Sequence, residues 1–159
     1  MKGESDTEFG PYLAITRGMI VTILYRLEGE PVVPVSCSFE DVADGAYYED
    51  TVAWAEANDV VEGYGDGSFG PNDIITREQM ATILYRYAAY RDYEVSGTSD
   101  LSKFVDAEKI SGYAMDAMSW SNAHGLINGR GYGVLDPQGS TLRCEVAAML
   151  HRFCNAVVE

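Results

Sequence analysis

Three arginines begin matching segments of this sequence, and they are the residues best suited to bind a ligand. Arg17, Arg77 and Arg143 recur at two similar intervals, each within a pattern typical of a helix start. A guanidinium group offers a planar pair of donors that matches a carboxylate. A helix N-terminus adds free backbone N–H groups and a partial positive charge. Each of these positions is therefore chemically suited to a carboxylate, and an arginine there can also tie a loop through its several donors.

The sequence offers little that would catalyse a reaction or hold a metal. His124 and His151 have no cysteine or carboxylate at a recognisable ligand spacing, and no serine or cysteine lies in a motif that pairs it with a base. Asp41 and Asp106 are expected to brace turns. Residues 64–67 carry too few alternating oxygen ligands for a calcium loop. We therefore expect no enzyme activity, no metal and no cofactor.

The arginines belong to a pattern that occurs three times. Most positions are identical between the first two copies, and the third follows the same order. The later two copies also share an upstream half, in which Phe39 corresponds to Phe104 and Trp54 to Trp120. The aligned segments are residues 15–26, 75–86 and 141–152.

These repeats predict one module over residues 1–159 that opens inside its first copy. Stretches rich in Gly, Pro, Ser and charged residues separate the copies and suit exposed linkers. The parts are a partial repeat at 1–27, a repeat at 39–90, a repeat at 104–159, and linkers near 28–38 and 91–103.

Each complete copy is predicted to form a short helix, a glycine-rich loop and a long helix. Thr76 is expected to cap the second long helix, with Gln79 completing a capping box. Apolar residues at three- and four-residue steps give each long helix a buried face, and we expect Leu24, Leu84 and Leu150 to meet. The long helices are predicted at 16–27, 76–88 and 142–154.

The short helices are predicted at about 46–58 and 112–124, with Trp54 and Trp120 at least half buried. Asp44 is expected to cap the first of them. Gly125 is expected to end the second in the left-handed conformation, which Asp59 would adopt at the equivalent place in the first. Little strand is expected beyond short pairings in the glycine loops.

The acidic composition argues against some classes of binding partner. Eleven Lys and Arg against 25 Asp and Glu give a formal charge of -14, which repels nucleic acid and anionic lipid head groups. No segment has the apolar length of a membrane span, and residues 1–6 lack the order of a secretory signal. Cys37, Cys144 and Cys154 form no metal or disulfide pattern and are expected to behave as small buried hydrophobes.

The order Phe-x-Asp-Val, a Trp-bearing helix, Val-Val-x-Gly-Tyr-Gly-Asp-Gly-Ser-Phe-x-Pro and Ile-Thr-Arg-Glu resembles the S-layer homology motif of bacterial surface proteins. The match is close over residues 39–87 and extends over 9–27 and 39–154. The resemblance implies an all-α fold, a pseudo-threefold, three-pronged spindle of helix-loop-helix repeats around a central bundle of three long helices.

The resemblance also implies a function at the cell surface or in the cell wall. Such modules hold a larger exported protein non-covalently on secondary cell-wall polysaccharide or a peptidoglycan-linked glycan, including pyruvylated polymers. The expected partner is therefore this carbohydrate, with no nucleic acid and no membrane insertion. The polymer lies in grooves between repeats.

By the same resemblance, the Thr-Arg-Ala-Glu segment of each repeat lies at a groove. We expect Arg77 to carry most of the binding, since only its copy combines the threonine, the acidic residue and the complete glycine loop. Trp54 is more consistent with a core position than with a ligand platform. The candidate ligand-binding residues are Arg77, Thr76, Glu78, Arg17, Thr16, Arg143, Glu145, Gly63, Tyr64, Asp66, Gly67 and Trp54.

Some positions depart from the pattern, and a second function stays open. Leu142 replaces the capping threonine and Tyr132 replaces Asp66 in the third copy, while Gly18 replaces the acidic residue in the first. Two working grooves or fewer are expected. The alternative is a structural or protein-interaction module in which the arginines tie loops and no glycan binds. The net charge favours that alternative because an acidic polymer is repelled at long range.

Overall fold

The fold is all-α, as the sequence predicts. The computed structural model describes residues 8–157, so the prediction about residues 1–6 lies outside the described part. Five α-helices are joined by loops and two short 3-10 turns, and the described residues contain no strand, only isolated bridges. The helices are α1 (Arg17–Leu27), α2 (Glu49–Ala57), α3 (Arg77–Tyr90), α4 (Met115–Ala123) and α5 (Arg143–Ala156).

The chain divides into two compact units whose limits lie just before long helices. The first unit is formed by residues 15–74 and contains α1 and α2. The second unit is formed by residues 8–14 and 75–157 and contains α3, α4 and α5. The single module over 1–159 and the three-pronged spindle stay predictions, as does the meeting of the three central leucines.

The long helices begin where their caps predict. The backbone N–H of Gln79 donates to the Thr76 hydroxyl (3.2 Å), and that of Thr76 donates to the Gln79 side chain (3.1 Å), so the capping box is confirmed. In α5 the Leu142 side chain offers no acceptor. There the Glu145 carboxylate accepts from the backbone N–H of Leu142 (2.9 Å), which preserves half of the box.

The short helices are shorter than predicted at their starts. Tyr48, not Asp44, precedes α2, and no side chain caps that helix. A 3-10 turn at Gly112–Ala114 leads into α4, so the regular helix begins later than residue 112. The prediction for their ends is confirmed, since Gly125 has φ 68° and Asp59 has φ 57°.

Large apolar side chains fill the interior of each unit. In the first unit, Leu24 and Phe69 are fully buried and Trp54 lies with its ring centroid 5.8 Å from that of Tyr25. In the second unit, Leu84 is fully buried and Trp120 contacts the ring of Tyr85 at 5.4 Å. Only 3% of Trp54 and 1% of Trp120 are exposed, which confirms that both indoles are buried.

The cysteines only partly match expectation. All three are free thiols, but Cys37 and Cys144 are half-buried and Cys154 is exposed. Cys154 lies one position after the fully buried Phe153 on α5, and so turns away from the interior. The prediction of small buried hydrophobes is therefore wrong for Cys154. Within residues 8–157, no helix is long and apolar enough to cross a membrane.

Candidate functional site

The start of each long helix is joined to a loop by backbone hydrogen bonds. The N–H of Arg77 donates to the carbonyl of Gly139 (3.0 Å), and the N–H of Glu78 donates to the carbonyl of Pro137 (2.8 Å). An isolated bridge between Thr76 and Ser140 lies beside them. Equivalent bonds occur in the other copies, at Arg17 to Asp73, Gly18 to Pro71, Arg143 to Leu13 and Cys144 to Pro11.

These bonds correct two expectations. The first N–H groups of the long helices were predicted to face a ligand, but loop carbonyls already accept from them. The short extended pairings were predicted in the glycine loops, but they lie at the residues just before the long helices. The loop of one copy is thereby held against the helix start of another.

The Arg77 side chain is buried and adds further hydrogen bonds between the start of α3 and the loop. Its Nε donates to the carbonyl of Leu135 (2.9 Å) and its Nη2 to the carbonyl of Asn128 (2.6 Å), while Nη1 contacts Glu145 (3.3 Å). Only 2% of the residue is exposed. Burial, and then the nearby positive charge of Arg130, lower the pKa of Arg77 from its usual value. Its hydrogen-bonding capacity is directed at the protein.

Arg17 and Arg143 occupy the same kind of position and are also buried. Arg17 donates to the carbonyls of Phe69 (2.8 Å) and Glu62 (3.1 Å), and its guanidinium carbon lies 4.7 Å from the ring centre of Tyr64. Arg143 donates to the carbonyl of Phe9 (2.9 Å). All three repeat arginines therefore hold loops, as the structural alternative has it. The loop belongs to another copy, however, whereas that alternative expected bonds to the loop that precedes each arginine or to Asp66.

The threonine and acidic positions also serve the fold. The Thr16 and Thr76 hydroxyls cap α1 and α3. Glu78 is 4% exposed, and its carboxylate accepts from the backbone N–H (3.0 Å) and the hydroxyl (2.7 Å) of Ser111. Glu145 is not the counterpart of Glu78, because it aligns with the N3 capping position of Gln79.

The glycine loop of the second copy is packed against its own repeat. A Cβ on Gly63 would collide with the carbonyl of Ser68 and the ring of Phe39, and Gly67 has φ 91°. The Asp66 carboxylate accepts from the backbone N–H (3.0 Å) and hydroxyl (2.6 Å) of Ser68, which lowers its pKa. The glycines are thus explained by loop packing and backbone conformation rather than by the approach of a sugar.

The two aromatic candidates differ in accessibility. Trp54 lies in the core and presents no ring face to a ligand, which corrects its place among the candidate site residues. Tyr64 is 47% exposed, and its hydroxyl donates to Asp73 (2.9 Å). Of the two, only Tyr64 is exposed, and its ring centre lies 4.7 Å from the guanidinium carbon of Arg17.

Two aspartates upstream brace these loops, as predicted. The Asp41 carboxylate accepts from the N–H groups of Phe69 (2.8 Å) and Gly70 (2.7 Å). The Asp106 carboxylate accepts from those of Leu135 (2.8 Å) and Asp136 (2.8 Å). Burial opposes ionisation of Asp106, but the backbone N–H groups overcome it and lower the pKa.

An open groove of about 280 Å³ lies in the second unit beside these attachments. One side is the face of α5 that carries Glu145, Ala148 and Arg152, and the other is the loop with Asn128 and Arg130. Arg77 also lines the groove, although little of its surface is exposed.

The groove gathers positive charge in an acidic chain. Arg130 pairs with Glu145 (2.7 Å) and Asp136 (2.5 Å), bonds that raise its pKa although burial lowers it. Burial opposes ionisation of Glu145, but its bonds to Arg130 prevail and lower its pKa. Arg152 is exposed and has one long hydrogen bond, to the carbonyl of Leu126 (3.5 Å). Together with Arg77, the cluster contains three guanidinium groups and two carboxylates, those of Glu145 and Asp136.

Arg130, Arg152 and Asn128 were missed by the sequence analysis. Arg130 occupies the position of Tyr64 in the repeat alignment, and Arg152 is the last residue of the matching segment 141–152. Arg130 thus departs from the repeat pattern, whereas Arg152 is an arginine that the three copies share. Neither indicated a groove, because the loop and α5 meet only in the folded unit.

Comparison with known proteins agrees with the repeats. The model of the S-layer homology domain matches residues 38–81 and 103–147, and the partial first copy lies outside these ranges. The surface-layer 125 kDa protein of Lysinibacillus sphaericus is 30% identical over 158 residues, which cover 96% of this chain and 13% of that protein.

Two further relatives carry different functions in their names. The cellulosome-anchoring protein of Acetivibrio thermocellus is 27% identical over 96% of this chain and 34% of its own length. An endoglucanase of Bacillus sp. (strain KSM-635) is 32% identical over 93% of this chain and 16% of its own length. The chain thus spans a small part of the relatives that it matches.

The matched ranges include more than half of the residues, and both contain the glycine loop and the arginine that begins the long helix. Relatives named as surface-layer and cell-surface proteins place such chains at the bacterial cell surface. The chain belongs to the S-layer homology domain family.

Proposed function

We propose that this chain is a non-catalytic module that anchors a larger exported protein to the bacterial cell wall. It does so by binding an acidic secondary cell-wall polysaccharide, pyruvylated or otherwise rich in carboxylates, in the groove of the second unit. The observation that carries the proposal is the cluster of three guanidinium groups in a chain with a formal charge of -14. A cellulosome-anchoring protein among the relatives supports the anchoring role.

The exposed groups of the groove suit a carbohydrate that bears carboxylates. Arg152 offers an exposed guanidinium with one long hydrogen bond to the protein, and it pairs with a ligand carboxylate through two parallel hydrogen bonds. Asn128 and Gly129 are exposed beside it and supply amide groups for sugar hydroxyls. Arg77 is then a positioning residue, since it holds the carbonyls of Leu135 and Asn128 and therefore the loop.

The charge of the chain sets the range over which this binding acts. At physiological salt, exposed charges are screened beyond about 8 Å, so the distant carboxylates of the chain repel the polymer only weakly. A guanidinium in a groove is screened less, and its contact with a carboxylate is retained. Binding is therefore short-ranged and depends on the groove.

We assign no catalytic step to this module. The matched endoglucanase shares only 16% of its length with this chain, and that part matches a repeat module. The residues of the groove include no nucleophile paired with a base. The chain accordingly supplies attachment to whatever catalytic or structural domain accompanies it.

The direct test removes the exposed cation of the groove. Arg152→Ala should weaken co-sedimentation with purified wall polysaccharide by about tenfold, or about 1.4 kcal/mol. Lys109→Ala, which removes a positive charge outside the groove, is the matched control. Polymer stripped of its acidic substituents should bind the Arg152→Ala and Lys109→Ala variants equally weakly.

A second candidate function is favoured by the burial of the three repeat arginines. If the groove is only a by-product of those loop attachments, the chain is a structural or protein-interaction module. Polysaccharide binding that is the same for folded Arg152→Ala and for the unaltered chain would support this second function against the first.

A further inference from the structure

The loop that Arg77 holds contains a dipeptide with a covalent chemistry of its own. Asn128 is followed by Gly129, whereas the other four asparagines of the sequence precede aspartate or alanine. An Asn-Gly pair is prone to lose the side-chain amide, because glycine has no Cβ to keep the next backbone nitrogen away from that amide. The pair is therefore a candidate site of chemical modification.

Packing requires the glycine of this pair but not the asparagine. A Cβ at position 129 would lie 2.9 Å from the ring of Phe104 and 3.0 Å from the carbonyl oxygen of Val134. The residue of the second copy that aligns with Asn128 is Glu62, and both side chains belong to exposed residues. The repeat thus accepts a carboxylate at this position.

Both residues of the pair are open to solvent. Asn128 and Gly129 are exposed. Among residues 8–157, the Asn128 side chain has one hydrogen bond, from Nδ2 to the carbonyl of Gly125 (3.0 Å), and no group accepts from the backbone N–H of Gly129. The proton of that nitrogen can therefore pass to water.

Arg77 stabilises the reactive form of the Gly129 nitrogen. Its Nη2 donates to the carbonyl of Asn128 (2.6 Å), which belongs to the same peptide group as that nitrogen. When the nitrogen loses its proton, it shares the negative charge with this carbonyl oxygen. A hydrogen bond from a guanidinium to such an oxygen is charge-assisted and strong. The bond therefore lowers the free energy of the anion that attacks the amide.

We propose that Asn128 is a site of spontaneous deamidation, through which the loop gains a carboxylate with time. The Gly129 nitrogen bonds to Cγ of Asn128, the bond from Cγ to Nδ2 breaks, and ammonia leaves with the proton of the attacking nitrogen. Water then opens the resulting succinimide. Opening at Cγ leaves aspartate, and opening at the main-chain carbonyl carbon leaves isoaspartate. Water is the co-reactant, and nothing is oxidised or reduced.

The new carboxylate alters the charge of the groove, and this consequence rests on the proposed function. Asn128 lines the groove together with Arg77, Arg130 and Arg152. The cluster of three guanidinium groups and two carboxylates becomes one with three of each. Because the local excess of positive charge is then lost, the modified module should release an acidic polysaccharide.

Peptide mapping by mass spectrometry tests the modification itself. The full-length chain is kept at mildly alkaline pH in water enriched in heavy oxygen. The peptide with residues 128–129 should exchange an NH2 group for a heavy-oxygen OH group sooner than any peptide with another asparagine. Asn128→Gln is the control, and it should show no such exchange over the same time because glutamine must close a larger ring.

Two results of the mapping would overturn the proposal. One is an unchanged mass at residue 128 after the long incubation. The other is exchange at the remaining asparagines that is as fast as at Asn128, which would show that the loop confers no reactivity.

Co-sedimentation with purified wall polysaccharide tests the consequence for the groove. The aged chain and Asn128→Asp, which reproduces one product, should each bind about tenfold more weakly than the fresh chain. Asn72→Asp makes the same charge change at an exposed site of the first unit and should bind as the fresh chain does. Thermal unfolding of Asn128→Asp should match that of the unaltered chain, since Glu62 occupies the equivalent position.

The two measurements separate the modification from the proposed function. Undiminished binding by the modified chain, when Arg152→Ala does weaken binding, would overturn the effect of deamidation on the groove. Undiminished binding by Arg152→Ala would instead contradict the polysaccharide site. The mass of the peptide at residue 128 decides in either case whether Asn128 deamidates.

Discussion

At the scale of single residues, a buried arginine acts as a rigid connector because its guanidinium donates in several directions at once. Arg77 uses this property to join α3 to two carbonyls of one loop and to Glu145 of α5. Exposed arginines in the same groove have solvent-accessible donors instead, and Arg152 is the clearest case. One residue type thus supplies both the support of the groove and its charge.

Arg77→Ala should destabilise the folded chain by about 2–4 kcal/mol, because it leaves the carbonyls of Leu135 and Asn128 without their donor and removes one of the two cations beside Glu145. Lysine should restore only part of the loss, since a point charge cannot span both carbonyls. Urea unfolding measures the effect. Arg26→Ala, at a half-exposed arginine of α1, should change stability by less than about 0.5 kcal/mol. A folded Arg77→Ala of unchanged stability that loses polymer binding would instead make Arg77 a direct ligand contact.

Asp106 should make stability sensitive to acid. Its pKa is below the usual 3.8 in the folded chain, so the unfolded chain binds more protons in the window between the two values. Its contribution is complete above 3.8 and is lost as pH falls through the folded pKa. Asp106→Asn should therefore destabilise the chain at neutral pH, with a difference that shrinks in acid.

Urea titrations at neutral and acidic pH test this, with the exposed Glu108→Gln as the matched control. A pH-independent difference between Asp106→Asn and the unaltered chain would contradict the assignment of Asp106 as a charged brace.

At the scale of elements, α3 is the most completely built of the three long helices. It has a full capping box at its start, and its inward face of Met80, Leu84 and Tyr87 is buried. α4 covers a second face through Tyr85 and Trp120. α5 lacks the side-chain cap and is more exposed, with only four buried residues along its length. Identical positions in the repeat therefore contribute unequally to stability.

Leu84→Ala should destabilise the chain by about 2–5 kcal/mol, because truncation of a fully buried leucine loses transfer energy and leaves a cavity. Leu27→Ala is the control, since Leu27 is 55% exposed at the end of α1. Thermal or urea unfolding measures the stabilities of the Leu84→Ala and Leu27→Ala variants. A change below about 0.5 kcal/mol at Leu84 would show that the site is not part of the core.

At the scale of the whole molecule, a formal charge of -14 contrasts with the three guanidinium groups of the groove. A formal charge of -14 disfavours polyanions that offer charge alone. If the groove binds wall polysaccharide as proposed, we expect it to select a polymer whose carboxylates are spaced by sugar units that fit beside Asn128. Recognition should therefore depend on shape as well as charge.

Competition with simple polyanions tests this dependence. Duplex DNA and poly-glutamate should fail to displace wall polysaccharide at physiological salt, because long-range attraction is absent and screening is strong beyond about 8 Å. Co-sedimentation with increasing competitor measures it. Displacement by poly-glutamate at matched carboxylate concentration would show that the groove selects charge only.

The sequence by itself determined the features that depend on local spacing. The two complete repeats, the all-α class, the capping box at Thr76, the helix ends at Asp59 and Gly125 and the burial of the tryptophans follow from short-range patterns, and each is confirmed. The partial first copy stays a prediction. The family could also be identified from the residues, and the match to the S-layer homology domain confirms it.

Only the tertiary structure decided which arginines face solvent. The partners of Arg77 lie 51 and 58 residues away along the chain, and the partner of Arg143 lies 134 residues away. A sequence pattern shows that a guanidinium is present but not whether a distant carbonyl occupies it. The groove of Arg130 and Arg152 depends in the same way on α5 meeting the loop at residues 126–130, because burial and charge proximity arise from contacts that no local spacing encodes.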